Sequence, residues 1–204
     1  MARTRSFPTT SDPKVEESDS NDKRARILAT AQSLFLRYGV KRTSVDDVAR
    51  ESGIAKGTVY LYFDSKDALF KAIAERICAD RLGRAQAALS VDGPLTPRLV
   101  SFLDVFAGEM HRLIAESPHV AELTEAKHEY GVTTFGTNGA QMKELLRAAL
   151  RKEGIVRKGA DDMFLAAAFG AVETGDLAEK PYRARLTALV DTLVLGLSHE
   201  ARRR

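Results

Sequence analysis

The chain organises itself around Gly53-Ile54-Ala55-Lys56-Gly57-Thr58-Val59-Tyr60-Leu61-Tyr62-Phe63-Asp64-Ser65-Lys66-Asp67-Ala68-Leu69-Phe70. A glycine turn opens onto a short helical segment, about residues 55 to 62, that carries Val59 and Tyr60. Asp64-Ser65 then caps a long helix from Lys66 to about Leu89, whose apolar positions are Leu69, Phe70, Ile73, Ile77 and Leu82. Immediately upstream, Thr43-Ser44 followed by Asp46-Asp47 is a cap with acids in the first helical turn. The helix it opens reaches about Ser52, with Val45, Val48 and Ala49 facing inward. Further back, from Asp22, Ile27, Ala31, Leu34, Phe35 and Tyr38 recur at three- and four-residue steps. Lys23, Arg24, Arg26, Gln32 and Arg37 face the other way, and Gly39 ends that helix.

A short helix, a turn built on glycine and a second short helix make the layout of a helix-turn-helix. Ala49 must be small because the second helix crosses close above it. Gly53 accepts the positive φ that reverses the chain within three residues, and Ile54 and Val59 plug the angle between the helices. Taken from Lys23 to Phe70, these residue types and spacings resemble the DNA-binding head of TetR-family transcriptional regulators. The remaining two-thirds agrees with that family in length and helical character. The expected fold is all-α: a helix-turn-helix three-helix head and a C-terminal helical domain for ligand binding and dimerisation.

The third helix is too short to stand without packing, and its start offers backbone N–H groups and a positive dipole end to phosphate. Lys56 can reach a guanine edge or a phosphate, Gly57 lets backbone approach DNA, and Thr58 can donate to phosphate or meet a thymine methyl. The resemblance implies that Tyr60 and Tyr62 lie along the sugar-phosphate backbone and that Lys66 clamps a phosphate. It also implies that Thr43 and Ser44 touch phosphate from the second helix. Asp46 and Asp47 place acid where phosphate would repel it. Both are assigned to the helix dipole and its cap, which leaves base reading to the third helix.

Charge follows the same division. From Lys23 to Lys66 there are nine Lys/Arg against four acids, so that segment carries +5 and the rest of the chain −2. A basic head on a slightly acidic body suits a reader of nucleic acid. Residues 1–21 are Ser/Thr/Asp/Pro-rich and are expected to be a disordered tail, which leaves 22–66 as the DNA-binding domain and 67–204 as the effector-binding and dimerisation domain. With hydrophobic residues at 44% the chain can bury a core, and 14 glycines and 6 prolines argue against a many-turned β architecture. One cysteine, Cys78, excludes an internal disulfide, and its place beside Ile77 points to a buried thiol. There is no run long enough for a membrane span and no apolar leader, so the expected location is the cytoplasm.

In the body, the run Met163 to Val172 is apolar nearly all round, while Leu186, Leu189, Val190, Leu193, Val194 and Leu197 form a stripe. The two could make a dimer seam or fill the monomer's own core; a two-fold protein on a palindromic operator in double-stranded DNA favours the seam. Phe102, Phe106 and Met110 are candidates to line a cavity for an unknown small-molecule effector, and Glu173 could anchor a cationic one. No cofactor is expected. His111, His119 and His128 include no pair at the i, i+4 spacing of a helical zinc site, so no metal is expected either. The rival class, an all-α enzyme or carrier with a structural head, lacks a nucleophile–base pair or a phosphate loop. The expectation is a non-enzymatic, ligand-responsive repressor acting as a homodimer.

Overall fold

A computed structural model describes residues 13–109, 111–112, 117–130, 132–173 and 179–202. Every regular element among them is helical: α1 (Pro13–Tyr38), α2 (Val45–Ser52), α3 (Lys56–Tyr62), α4 (Lys66–Ser90), α5 (Leu95–Leu103), α6 (Val120–Glu129), α7 (Thr134–Lys152), α8 (Ala160–Glu173) and α9 (Glu179–Arg202). The chain divides into two compact units between Ile73 and Ala74, inside α4.

In the first unit α2 packs on α1 and α3 on α2. Ile27, Ala31 and Phe35 from α1, Val48 and Ala49 from α2, and Ile54, Val59 and Phe63 around α3 form its buried centre. Phe35 meets Phe70 with ring centroids 6.1 Å apart, and the Arg24 guanidinium lies 5.4 Å over the Phe63 ring. The turn between α2 and α3 forms as its glycine requires: Gly53 has φ 64°, and its N–H reaches back to the carbonyls of Ala49 and Arg50. α1 departs from expectation by beginning at Pro13, so residues 13–21, read from composition as tail, are helical. A proline at the first position has the φ a helix needs. Asp19 pairs with Lys23 at 2.5 Å one turn on, and the Ser20 hydroxyl hydrogen-bonds Tyr62 OH at 2.9 Å, so local and tertiary contacts offset the ordering entropy.

The second unit is built on a core that includes Phe102, Met142, Leu146, Phe164, Tyr182 and Leu186. α9 packs on α8 and on α5. α5 does not continue as one regular helix, because Asp104–Gly108 is a π-helical turn. Arg81 on α4 caps it: the buried guanidinium donates to the carbonyl of Val105 (3.2 Å) and to that of Phe106 (2.6 Å). Cys78 is buried with no disulfide, and desolvation pushes its thiol pKa up. No helix among the described residues is long and apolar enough to cross a membrane.

Candidate nucleic-acid interface

The surface of interest is assembled by α2, α3 and the start of α4. α2 begins in a reciprocal cap: the Ser44 hydroxyl accepts from the Asp47 amide (3.1 Å), and the Ser44 amide donates to the Asp47 carboxylate (3.0 Å). The Ser44 hydroxyl and amide, with Arg50 beyond them, hold the Asp47 pKa down to about 2. Ser44 is therefore the cap of α2, and it remains exposed at the surface where phosphate contact was expected. Thr43 is placed differently. It is 3% exposed and its hydroxyl donates inward to the Gly39 carbonyl at 2.8 Å, satisfying the end of α1.

Only one of the two acids assigned to the cap does that work. Asp46, beside Asp47, instead takes a hydrogen bond from the Lys56 ammonium at 2.7 Å, which joins the starts of α2 and α3. The carboxylate raises the Lys56 pKa, and the same ammonium sits 5.9 Å over the Tyr60 ring.

α3 divides by side. Val59 is fully buried, whereas Lys56, Gly57, Tyr60 and Leu61 are exposed and share the opposite face. A Cβ on Gly57 would meet nothing within 4 Å, so this backbone stands open to an approaching surface. Thr58 is half-buried behind it. Leu61 was not singled out by sequence reasoning, which passes over an apolar residue inside a helix. At 86% exposed it is one of the barest large hydrophobic residues described. Tyr62 is half-buried with its hydroxyl on Ser20, and Lys66, also half-buried, opens α4. A lysine opposes the dipole at a helix start, so helix stability gives no reason for its place.

Residues 27–73 match the family model for bacterial regulatory proteins of the tetR family. Over this segment the chain resembles the TetR family. YfiR of Bacillus subtilis (strain 168), an HTH-type transcriptional regulator, is 41% identical over 63 residues, and the match spans 31% of this chain and 31% of YfiR. KstR2 of Rhodococcus jostii (strain RHA1), an HTH-type transcriptional repressor, is 32% identical over 72 residues, or 35% of each chain. The curated relatives are thus matched over about a third of their length. Fold similarity reaches further: the structure of SmeT in complex with triclosan superposes with a TM-score of 0.55 at 19% identity, covering 86% of this chain and 91% of that one.

The residues expected to meet an effector lie in the second unit. Phe102 is fully buried and stacks on Phe106 at 6.4 Å, and Phe106 meets Phe169 edge-on at 5.7 Å. Glu173 is exposed at the end of α8, and Met110 lies outside the described residues. Sequence reasoning did not anticipate the polar group at the π turn. Arg112 donates to Asp104 at 2.9 Å and lies 5.2 Å over the Tyr182 ring, and burial first, then Asp104, pushes the Tyr182 pKa up to about 12.

Proposed function

We infer that the first unit binds duplex DNA and that the chain is a ligand-responsive transcriptional repressor, acting as a homodimer on an inverted-repeat operator. The observation that carries the reading is the outward face of α3. Lys56, Gly57, Tyr60 and Leu61 stand exposed on a helix propped from behind by Val59, within a segment of charge +5. Lys56 addresses base edges, Leu61 supplies an apolar surface for thymine methyls, and Tyr60, Tyr62, Ser44 and Lys66 address phosphate. Gly57 and Thr58 allow and line the close approach. Thr43 contributes by holding the loop before α2.

Two further features support the finer reading. α8 and α9 bury one side in the core and leave Met163, Phe169, Leu189 and Leu195 exposed on the helices expected to form a dimer seam. The relative KstR2 is named a repressor, and the structural neighbour SmeT is seen with a small molecule bound. A ligand in the second unit would act through α4, which has residues in both units.

Salt titration of DNA binding tests the assignment. Lys66→Ala should weaken every duplex about equally and reduce the slope of log K against log salt by about 0.9, the loss of one phosphate contact. Lys56→Ala should weaken the preferred sequence more than others, by roughly tenfold. Equal affinities and slopes for wild type and both variants would remove these roles.

A further inference from the structure

The geometry points to Asp46 as a specificity-determining residue: paired with Lys56, it presents a donor and an acceptor side by side that fit one G·C pair in the major groove. This rests on the DNA-binding reading above. The pair bridges α2 and α3, and both side chains are more than half exposed, Lys56 at 60% and Asp46 at 54%. An ion pair so exposed contributes little to folding. The cap of α2 belongs to Asp47, so Asp46 is not held in place by capping. For DNA affinity alone an acid here is a handicap, since it repels phosphate and neutralises a lysine that would otherwise release counterions. As an acid in the first turn of α2, Asp46 gains the modest dipole stabilisation, and recognition accounts for its pairing with Lys56.

The match to a base pair follows from the 2.7 Å between Lys56 Nζ and Asp46 Oδ2. In a G·C pair guanine N7 and O6 accept and cytosine N4 donates. O6 and N4 are themselves hydrogen-bonded, about 2.9 Å apart. Facing that edge, the ammonium gives one N–H to Asp46 and keeps two for O6 and N7. The carboxylate accepts from N4, and the four groups close a ring of hydrogen bonds. An A·T pair can close the ring through thymine O4 and adenine N6, but the thymine C5 methyl stands where guanine N7 would accept the ammonium's other N–H, so that contact is lost. Phosphate, which only accepts, can take the ammonium but repels the carboxylate, so it satisfies one half of the pair at most. Tyr60, 5.9 Å beneath the ammonium, limits the directions Lys56 can take. Asp46 thus acts through Lys56 as a positioning residue and meets the base itself only at cytosine N4.

The test uses the full chain and a pool of duplexes randomised over roughly 20 base pairs, two helical turns. Wild type, Asp46→Ala, Asp46→Asn, Lys56→Ala and the Asp46→Ala/Lys56→Ala double variant are compared for base preference and salt dependence. Helical content by circular dichroism confirms that each variant is folded. Asp46→Ala is expected to lose roughly tenfold preference for G·C at one half-site position. It should bind unselected duplex at least as tightly as wild type, with a salt slope steeper by up to about 0.9 as Lys56 turns to phosphate. Asp46→Asn, which keeps an acceptor, should recover part of the preference. Lys56→Ala should lose preference at the same position, and the double variant should lose no more. Wild-type base preference retained by Asp46→Ala, or loss at an A·T pair instead, overturns the proposal while leaving DNA binding intact. Failure of wild type to enrich any sequence overturns the DNA-binding reading itself, and the proposal with it.

Discussion

Val59→Asp should abolish DNA binding while leaving the second unit folded. Val59 is the fully buried side chain on α3, and it holds the exposed face of that seven-residue helix outward. A carboxylate there has no partner and costs several kcal/mol to bury. A unit of about 60 residues has on the order of 3–9 kcal/mol in total, so the substitution consumes most or all of it. Affinity for DNA should fall by at least about 100-fold, which corresponds to a head left about 2.7 kcal/mol on the unfolded side of its equilibrium. Hydrogen exchange on the full chain checks the location: amides of α1 to α3 should lose protection while those of α8 and α9 keep it. Undiminished binding would mean that α3 is not the reading element.

The second large effect lies in the second unit. Gly108 ends the π-helical turn, and a Cβ there would collide with the Asp104 carboxylate and the Tyr182 hydroxyl and lie 2.8 Å from Tyr182 Cζ. Neither neighbour yields easily. Asp104 is held by Arg112 at 2.9 Å, and Tyr182 is fully buried against the core. Gly108→Ala should therefore destabilise by about 2 kcal/mol through overpacking, against the gain alanine normally brings to a helix. Gly83, inside α4, is the control, since a Cβ there meets nothing within 4 Å. Gly83→Ala should stabilise by about 0.5–1 kcal/mol. Thermal melts of the two variants should move in opposite directions. A rise for both would remove the close approach of Tyr182 as a constraint on the π turn.

These two sites differ in how far the sequence alone discloses them. The head was legible because its signals are local. Ser44 and Asp47 make a cap three residues apart, Gly53 marks a turn, and Ile54 and Val59 are the apolar residues that follow it. Where a residue's role depends on a distant partner, pattern fails. Asp46 and Asp47 are equivalent as acids in a first turn, and only the fold brings Lys56, ten residues on, to one of them. Thr43 reads as a polar surface residue until the Gly39 carbonyl is found beside it. The start of α1 looks like solvated tail by composition, yet Tyr62, 42 residues away, gives Ser20 a partner. The π turn follows the same logic, because the carbonyls it frees are taken by Arg81 from another helix. The face proposed for dimerisation was half legible: the apolar stripe on α9 was visible, but which of its members enter the core, as Leu186 and Val190 do, and which stay bare, as Leu189 does, needed the packing.

The most direct measurement is hydroxyl-radical footprinting of the chain on a duplex recovered by selection. Two protected patches on one face of the duplex, one helical turn or about 34 Å apart, and absent with Val59→Asp, are the result expected of a symmetric pair of α3 helices in successive major grooves. Uniform cleavage at low salt, with saturating protein, would contradict it.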